Sequence, residues 1–209
     1  MKKFTAITLV VVALVTLLGF TAPAFASSGN GTRTEAQLWQ AFQTSKNPSA
    51  LYASLTPADQ TVVVQMFTVA STSVRTSGGT AVAANTVTVI PMTTWVWQSP
   101  FGVYLSAYNS YGQVLYTIYN SVTFTTNGKI FTLAYQKIWG TVSTWPWRFD
   151  GYTSSSGGGT GYASYESYCQ GHFQFGPNYM GITLGSHYPV IDITLNAATK
   201  GIKVTYAQN

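Results

Sequence analysis

Cysteine, histidine and glutamate, three residue types that bind metals or act in catalysis, occur together in the stretch YESYCQGHF. Cys169 and His172 lie three positions apart, Glu166 lies just upstream, and His187 follows. A cysteine and a histidine at this spacing can share a metal ion or form a nucleophile with its base. Structural zinc sites need four ligands, however, and the whole chain contains one cysteine and two histidines.

Alternation along residues 162–175 predicts where these side chains point. The odd positions, among them Cys169 and Phe173, are the more apolar, and every even position carries a polar group. Successive side chains of a strand point to opposite faces. We therefore expect a strand with Cys169 buried and inert and His172 facing solvent, which excludes a shared metal ion unless the strand bulges at Gly171. A reactive thiol, or one paired with another chain, is the alternative for the cysteine.

His187 precedes the apolar strand pattern of residues 190–193 and is expected to be a strand-end histidine at the edge of the core. Its alternative is a catalytic base, which needs a nucleophile and an orienting acid nearby. The sequence contains no G-x-S-x-G nucleophile motif and no phosphate-binding glycine motif. A turn is the preferred interpretation of Asp150-Gly151. The alternative is a glycosidase, which needs two facing carboxylates that Asp150 with Glu166 or Asp192 can supply. We expect no metal and no cofactor.

Aromatic residues crowd two stretches and are the stronger candidates for a binding surface. The candidate binding residues are Trp145, Trp147, Arg148, Tyr152, Trp95 and Trp97. The first four lie in the proline-interrupted stretch WGTVSTWPWRFDGY, and the last two are spaced i, i+2, so that both point to one face of a strand. Aromatic side chains this dense line glycan- or partner-binding surfaces. The alternative is that the rings fill the core of a β-sandwich.

The N-terminal residues 1–26 have the pattern of a secretory signal. Lys2 and Lys3 precede the uncharged run Phe4–Ala22, and Ala24–Ala26 is a small-x-small cleavage site. We therefore expect a secreted, extracellular protein whose mature chain has no stable membrane span. The alternative is an uncleaved anchor, since a run of roughly 19 uncharged residues can span a bilayer.

The composition excludes several classes of protein. Charged residues make up 7% of the chain and aromatic residues 15%, which argues against disorder. The net charge is +5, and it is +3 once a signal with two lysines is removed, which leaves eight basic and five acidic side chains. The basic residues are scattered, whereas nucleic-acid-binding proteins cluster them, so no nucleic-acid partner is expected. A single cysteine cannot form an internal disulfide.

Beyond the signal, the chain divides into a helical region, residues 27–80, and a β domain, residues 81–209. Thr34 and Thr56 each have the position of a helix N-cap, and Asn47-Pro48 ends the first of two predicted helices. From residue 81 onward the composition is rich in threonine, valine, tyrosine and tryptophan with glycine turns, which is typical of strands. The predicted fold class is mainly β: an antiparallel β-sandwich preceded by a short helical N-terminal region.

Asn127-Gly128 is the favoured dipeptide of a two-residue type I′ hairpin turn. This turn predicts three cross-strand pairs on one mainly apolar face: Phe124 with Phe131, Val122 with Leu133, and Tyr116 with Trp139. The other face is mainly hydroxyl-lined, which favours a sheet with one side in water. Further strands are predicted near residues 86–98, 101–109, 146–153, 161–175, 179–184, 188–196 and 201–206.

Several short motifs occur from residue 112 onward: Gly112-x-x-Leu115, the strand pair around Asn127-Gly128, Trp147 with Gly151, Gln170-Gly171-His172-Phe173 and Tyr188-Pro189-x-Ile191-x-Ile193. In these motifs the chain resembles YolA-type proteins, a family of small uncharacterised secreted proteins of Gram-positive bacteria. The resemblance implies export, an all-β C-terminal domain and a close-packed glycine in the QGHF motif. The paired cysteines of many relatives are absent here, and the resemblance implies no activity and no catalytic residue.

Three functional hypotheses follow from these patterns. The leading one is a non-catalytic secreted binding or interaction protein at the cell envelope or in the extracellular matrix, whose partner is a cell-wall polymer, a glycan or another protein. The second is a secreted antibacterial, bacteriocin-like toxin, which the small, mildly cationic and aromatic-rich chain favours. The third is a hydrolase. Exposed strand edges also permit self-assembly.

Overall fold

The computed structural model describes residues 33–77, 81–82, 88–91, 100–176, 183–199 and 201–208. The predicted signal, residues 1–26, lies outside the described residues. Within this part of the chain, three helices precede eleven strands, and the strands form two antiparallel sheets. The predicted fold class is therefore confirmed: an antiparallel β-sandwich follows a short helical region.

Capping side chains set the starts of the helices. Helix α1 spans Glu35–Thr44, α2 spans Pro48–Ala53 and α3 spans Pro57–Met66. Thr34 and Gln37 form the reciprocal hydrogen bonds of a capping box. Thr56 Oγ1 accepts a hydrogen bond from the Asp59 amide at 3.2 Å. Asn47 was predicted only to end the first helix, but its side chain also caps the start of α2.

The strands, in chain order, are β1 Ser71–Thr76, β2 Ala81–Val82, β3 Thr88–Pro91, β4 Phe101–Tyr108, β5 Val114–Thr126, β6 Phe131–Val142, β7 Trp147–Gly158, β8 Ser164–Phe175, β9 Gly185–His187, β10 Val190–Asn196 and β11 Gly201–Ala207. The boundary predicted at residue 80 does not separate helix from sheet, because β1 already belongs to the first sheet. Phe67 is the C-cap of α3, and β1 begins four residues later at Ser71. Val74 of β1 is buried.

The two sheets share one core. The first has the strand order β2-β1-β4-β5-β6, and the second has the order β3-β11-β10-β8-β7, with β9 pairing the end of β8. Leu38 and Met66 of the helices and Ile118, Phe173 and Ile191 of the sheets are at most 1% exposed. The helices and both sheets therefore belong to one compact unit.

The β5–β6 hairpin has a different register from the one that its turn sequence predicts. Asn127–Ile130 form a four-residue turn, which a hydrogen bond of 3.2 Å closes between its first amide and its last carbonyl. The pairs next to the turn are Thr126 with Phe131 and, after a bulge, Thr125 with Leu133. The longer turn shifts the pairing by two residues, which alone would leave each β6 side chain on its predicted face of the sheet. The bulge shifts the pairing by one more residue and moves each β6 side chain beyond it to the opposite face.

The three predicted cross-strand pairs are wrong as a result. The observed partners are Ala134 for Phe124, Gln136 for Val122 and Val142 for Tyr116. Leu133, Tyr135 and Trp139 instead lie on the outer face of the first sheet, with exposed fractions of 37%, 51% and 37%. The outer face is therefore more aromatic than the predicted hydroxyl-lined surface.

A buried asparagine links the two sheets. Asn120 on β5 is 0% exposed, and its Nδ2 donates to the Ser167 carbonyl of β8 at 2.9 Å and to the Ile191 carbonyl of β10 at 3.3 Å. In return, Ser167 Oγ donates to Asn120 Oδ1 at 2.9 Å. Buried polar groups cost stability unless they are hydrogen-bonded, so this network fixes how the sheets align.

Replacement of Asn120 by alanine is expected to lower the free energy of unfolding by about 2–3 kcal/mol. The change removes three hydrogen bonds between the sheets and leaves the Ser167 hydroxyl without its acceptor. Urea unfolding followed by fluorescence measures the loss. Thr153→Ala is the control, because this exposed threonine lies outside the core and its loss should cost about 0.5 kcal/mol or less. Equal losses in the two variants would argue against a stabilising network.

Candidate functional site

The strand that carries Cys169 and His172 is β8, and its burial alternates as predicted. Cys169 is 0% exposed, and burial raises its pKa to about 12, so the thiol stays protonated at neutral pH. His172 is half-buried on the outer face. An added Cβ at Gly171 would lie 2.6 Å from the Phe173 ring and 2.9 Å from Ile118. The buried cysteine, the outward histidine and the close-packed glycine are confirmed.

A metal site needs several donor side chains grouped around one ion. Among the described residues, no group of three or more histidine, cysteine, aspartate and glutamate side chains lies close enough together to hold a metal ion. The aromatic and polar clusters are therefore the remaining candidates for a functional site.

Trp147 and Trp145, two of the predicted binding residues, pack between the helices and the sheets. Trp147 is 5% exposed, and its indole N–H donates to the Phe67 carbonyl at 2.9 Å. Trp145 stacks on Phe42 with ring centroids 4.9 Å apart, and its indole N–H donates to Ser49 Oγ at 3.1 Å. For Trp147 the prediction of a binding surface is wrong, because the ring is enclosed in the core. Trp145 is half-buried against that core.

Arg148 and Tyr152, the other described candidates, lie on the exterior. Arg148 points to the outer face of the second sheet, where its Nη2 donates to Thr183 Oγ1 at 3.1 Å. Tyr152 lies on the edge strand β7 and is 50% exposed. Trp95 and Trp97 lie outside the described residues. The described members of the predicted set are thus divided between the core and the exterior.

His187 ends β9 at the edge of the core, as predicted. Its ring packs edge-on against Trp147, with ring centroids 5.1 Å apart. Gln208 Nε2 donates to Tyr116 Oη at 2.9 Å, which leaves the tyrosine hydroxyl to donate to His187 Nδ1 at 3.3 Å. Burial lowers the pKa of His187 and raises the pKa of Tyr116 to about 12. The imidazole is therefore held neutral in a structural network.

Acidification is expected to destabilise the protein through His187. Because the folded pKa lies below its ordinary value of 6.5, the unfolded chain binds the proton first. Stability therefore falls as the pH drops from about 6.5 through the folded pKa. The decrease in Tm between about pH 7 and pH 5 should be smaller in His187→Gln than in the wild type. Thr153→Ala, at an exposed position without a titratable side chain, serves as the control and should keep the full decrease. The same decrease in all three proteins would refute this assignment.

A polar cluster lies on the outer face of the second sheet. Asp150 Oδ2 is 3.7 Å from His172 Nδ1, and His172 Nε2 is 3.4 Å from Ser186 Oγ. Arg148 Nε is 3.6 Å from Asp150 Oδ1, and the Gln174 side-chain amide donates to Asp150 Oδ2. Carboxylate, imidazole and hydroxyl follow one another in the order of a serine-hydrolase relay. Both distances exceed the usual hydrogen-bond length, and the carboxylate has other partners.

The structure does not bring together the carboxylates of the glycosidase alternative. Asp150 lies beside His172, and Glu166 is six residues away along β8, a separation of about 20 Å. Asp192 pairs with Tyr168, four residues from the histidine and about 13 Å away. Both separations exceed the roughly 5–10 Å at which two carboxylates act on one glycosidic bond. The pairing of Asp150 with either acid is therefore wrong.

The strongest candidate site is a row of aromatic side chains across the outer face of the first sheet. Strand pairing makes direct neighbours of Arg75 on β1, Tyr104 on β4, Tyr119 on β5 and Trp139 on β6. The ring centroids of Tyr104 and Tyr119 are 4.2 Å apart, and those of Tyr119 and Trp139 are 3.8 Å apart. We call Tyr104, Tyr119 and Trp139 the aromatic row.

Gly102 allows the central ring to lie against the sheet. A Cβ at Gly102 would lie 2.1 Å from the Tyr119 hydroxyl oxygen, so the tyrosine ring occupies the space above the glycine. Tyr119 is 4% exposed, and burial raises its pKa. Tyr104 packs on one side and is half-buried, and Trp139 packs on the other side and is 37% exposed. The row is therefore a packed aromatic surface whose two outer rings are open to a ligand.

Polar side chains flank the aromatic row. On one side, hydroxyl residues cross the sheet as direct neighbours: Ser73, Ser106, Thr117 and Thr141. On the other side, the Lys137 ammonium lies 5.5 Å from the Trp139 ring centroid. Arg75, Tyr104 and Tyr108 line a groove of about 390 Å³ together with the first three hydroxyl residues. This volume lies within the range of small-ligand pockets.

Sequence reasoning missed the aromatic row. It placed Trp139 on the apolar face opposite Tyr116 and singled out neither Tyr104 nor Tyr119. One signal was available, a set of large side chains that alternate along β6: Leu133, Tyr135, Lys137 and Trp139. A single bulge between the turn and this set moves all four to the outer face.

A scan against models of protein families found no match, and searches of curated proteins and of solved structures found none either. No helix among the described residues has the length and apolar character needed to cross a membrane. The resemblance to YolA-type proteins therefore stays a prediction.

Proposed function

We propose that this protein is a secreted, non-catalytic β-sandwich that binds polysaccharide at the cell envelope or in the extracellular matrix. The aromatic row is the observation that carries the proposal. The proposed binding surface is the aromatic row and not the tryptophan surface that the sequence predicted, because Trp147 is buried in the core.

The chemistry of the outer face suits a polysaccharide. Sugar rings have apolar C–H faces and hydroxyl edges, so they pack on flat aromatic rings and exchange hydrogen bonds with polar side chains beside them. Here the half-buried and exposed rings of Tyr104 and Trp139 lie next to the row of serine and threonine hydroxyls. The two rings are two strand spacings apart, about 10 Å, which favours a chain of linked sugars over a single small molecule.

Co-sedimentation with insoluble polysaccharides tests the proposal. Purified protein is mixed with cellulose, chitin, peptidoglycan and cross-linked polygalacturonate, and bound and free fractions are compared with polymer-free samples. Retention by at least one polymer is the expected result. A protein that stays in the supernatant with every polymer would overturn the proposal. Growth inhibition of bacteria in the absence of polymer binding would favour the antibacterial alternative.

A hydrolase is the second candidate, and the cluster of Asp150, His172 and Ser186 is the observation that favours it. In this interpretation Ser186 Oγ is the nucleophile, His172 is its base, and Asp150 orients the imidazole. Hydrolysis of nitrophenyl esters that is lost in Ser186→Ala and kept in Ser164→Ala would support it. Absence of turnover in the wild type would leave the cluster a structural polar network.

A further inference from the structure

The acidic side chains of this protein lie away from the aromatic row. The chain has five of them: Glu35 and Asp59 in helices α1 and α3, and Asp150, Glu166 and Asp192 in strands of the second sheet. Strands β1, β4, β5 and β6, which form the face of the row, contain none. These strands and the β5–β6 turn instead carry three basic residues, Arg75, Lys129 and Lys137.

Two of these cations lie at the ends of the row. Arg75 is the direct cross-strand neighbour of Tyr104 and lines the groove. Lys137 lies over the ring of Trp139, with its ammonium 5.5 Å from the ring centroid. Arg75 and Trp139 are three strand spacings apart, about 14 Å. A ligand that covers the row therefore meets a positive charge at each end.

This charge distribution selects among polysaccharides. A face with cations and no carboxylates has a positive potential, which attracts anionic polymers and repels cationic ones. An arginine guanidinium also matches a carboxylate in a bidentate pair. We propose that the ligand of the aromatic row is an acidic polysaccharide: its sugar rings stack on Tyr104 and Trp139, and its carboxylates pair with Arg75 and Lys137. This inference rests on the proposed polysaccharide-binding function and adds the charge of the ligand.

A matched pair of polymers tests the charge of the ligand. Soluble polygalacturonate and its methyl ester have the same sugar backbone, but only the first carries carboxylates, and polyglutamate carries carboxylates without sugar rings. We expect about tenfold tighter binding of polygalacturonate than of the ester or of polyglutamate, by calorimetric titration. Equal affinity for polygalacturonate and its ester would overturn this inference and leave the proposed function standing. Equal affinity for polyglutamate would overturn it in favour of charge attraction alone.

A pair of double variants tests the residues. Arg75→Gln with Lys137→Gln should weaken polygalacturonate binding about tenfold, to about the affinity with which the wild type binds the methyl ester. The control is Lys46→Gln with Lys203→Gln, which removes the same net charge at exposed positions outside the row. Its affinity for polygalacturonate should differ from that of the wild type by less than about twofold. Equal losses in both double variants would overturn the assignment to Arg75 and Lys137. All four side chains are exposed, so a melting curve of each variant should match the wild type.

Discussion

Replacement of Trp147 by alanine is expected to lower the free energy of unfolding by about 3–5 kcal/mol. The ring is 5% exposed and packs against Tyr116 and Phe175, with centroid distances of 5.0 and 5.3 Å. The variant also leaves the Phe67 carbonyl without the indole donor that it has at 2.9 Å. Loss of this one side chain therefore weakens both the core between the sheets and the contact between α3 and β7.

Urea unfolding of a short series measures this effect. Trp147→Phe keeps much of the apolar contact and loses the N–H, so its stability should lie between those of the wild type and the alanine variant. Tyr162→Ala is the matched control, because Tyr162 is 62% exposed and its loss should cost about 0.5 kcal/mol or less. A stable Trp147→Ala variant that no longer binds polymer would instead favour the tryptophan surface that the sequence predicted.

Replacement of Tyr104 and Trp139 together by alanine is expected to weaken polygalacturonate binding by roughly thirtyfold or more, which is about 2 kcal/mol. The two rings flank Tyr119 and provide the open surface of the aromatic row. Both lie on the outer face, so their removal takes away the stacking surface and leaves the core between the sheets closed. Calorimetric titration measures the affinity, and a melting curve verifies the fold.

The double variant Tyr152→Ala with Tyr162→Ala is the control for this experiment. These two tyrosines are 50% and 62% exposed, and neither belongs to the first sheet. Their removal should leave the affinity within about twofold of the wild type. Wild-type affinity in the variant that lacks both Tyr104 and Trp139 would exclude the aromatic row as the binding site.

Local patterns were sufficient to predict much of the fold. The alternation along residues 162–175 correctly predicted an inward Cys169 and an outward His172, because a strand has a fixed two-residue period. The threonine caps correctly predicted the starts of α1 and α3, because an N-cap needs only a few neighbouring residues. These features depend on short-range geometry that the sequence contains.

The site could not be predicted in the same way, because it depends on register and tertiary packing. One bulge beside Leu133 decides whether Trp139 faces the core or solvent, and the turn dipeptide does not predict that bulge. The burial of Trp147 depends on Phe67, which lies 80 positions earlier in the chain. Strand β1 was assigned to the helical region, since its membership in the first sheet comes from pairing with β4.

Amide chemical-shift mapping of the isotope-labelled protein during titration with oligogalacturonate identifies the residues that the ligand contacts. We expect the largest changes at Arg75, Tyr104, Tyr119 and Trp139, which are direct neighbours across the first sheet. The indole N–H of Trp139 should shift with them. Changes that instead centre on the outer face of the second sheet, around His172 and Ser186, would exclude the aromatic row as the binding site.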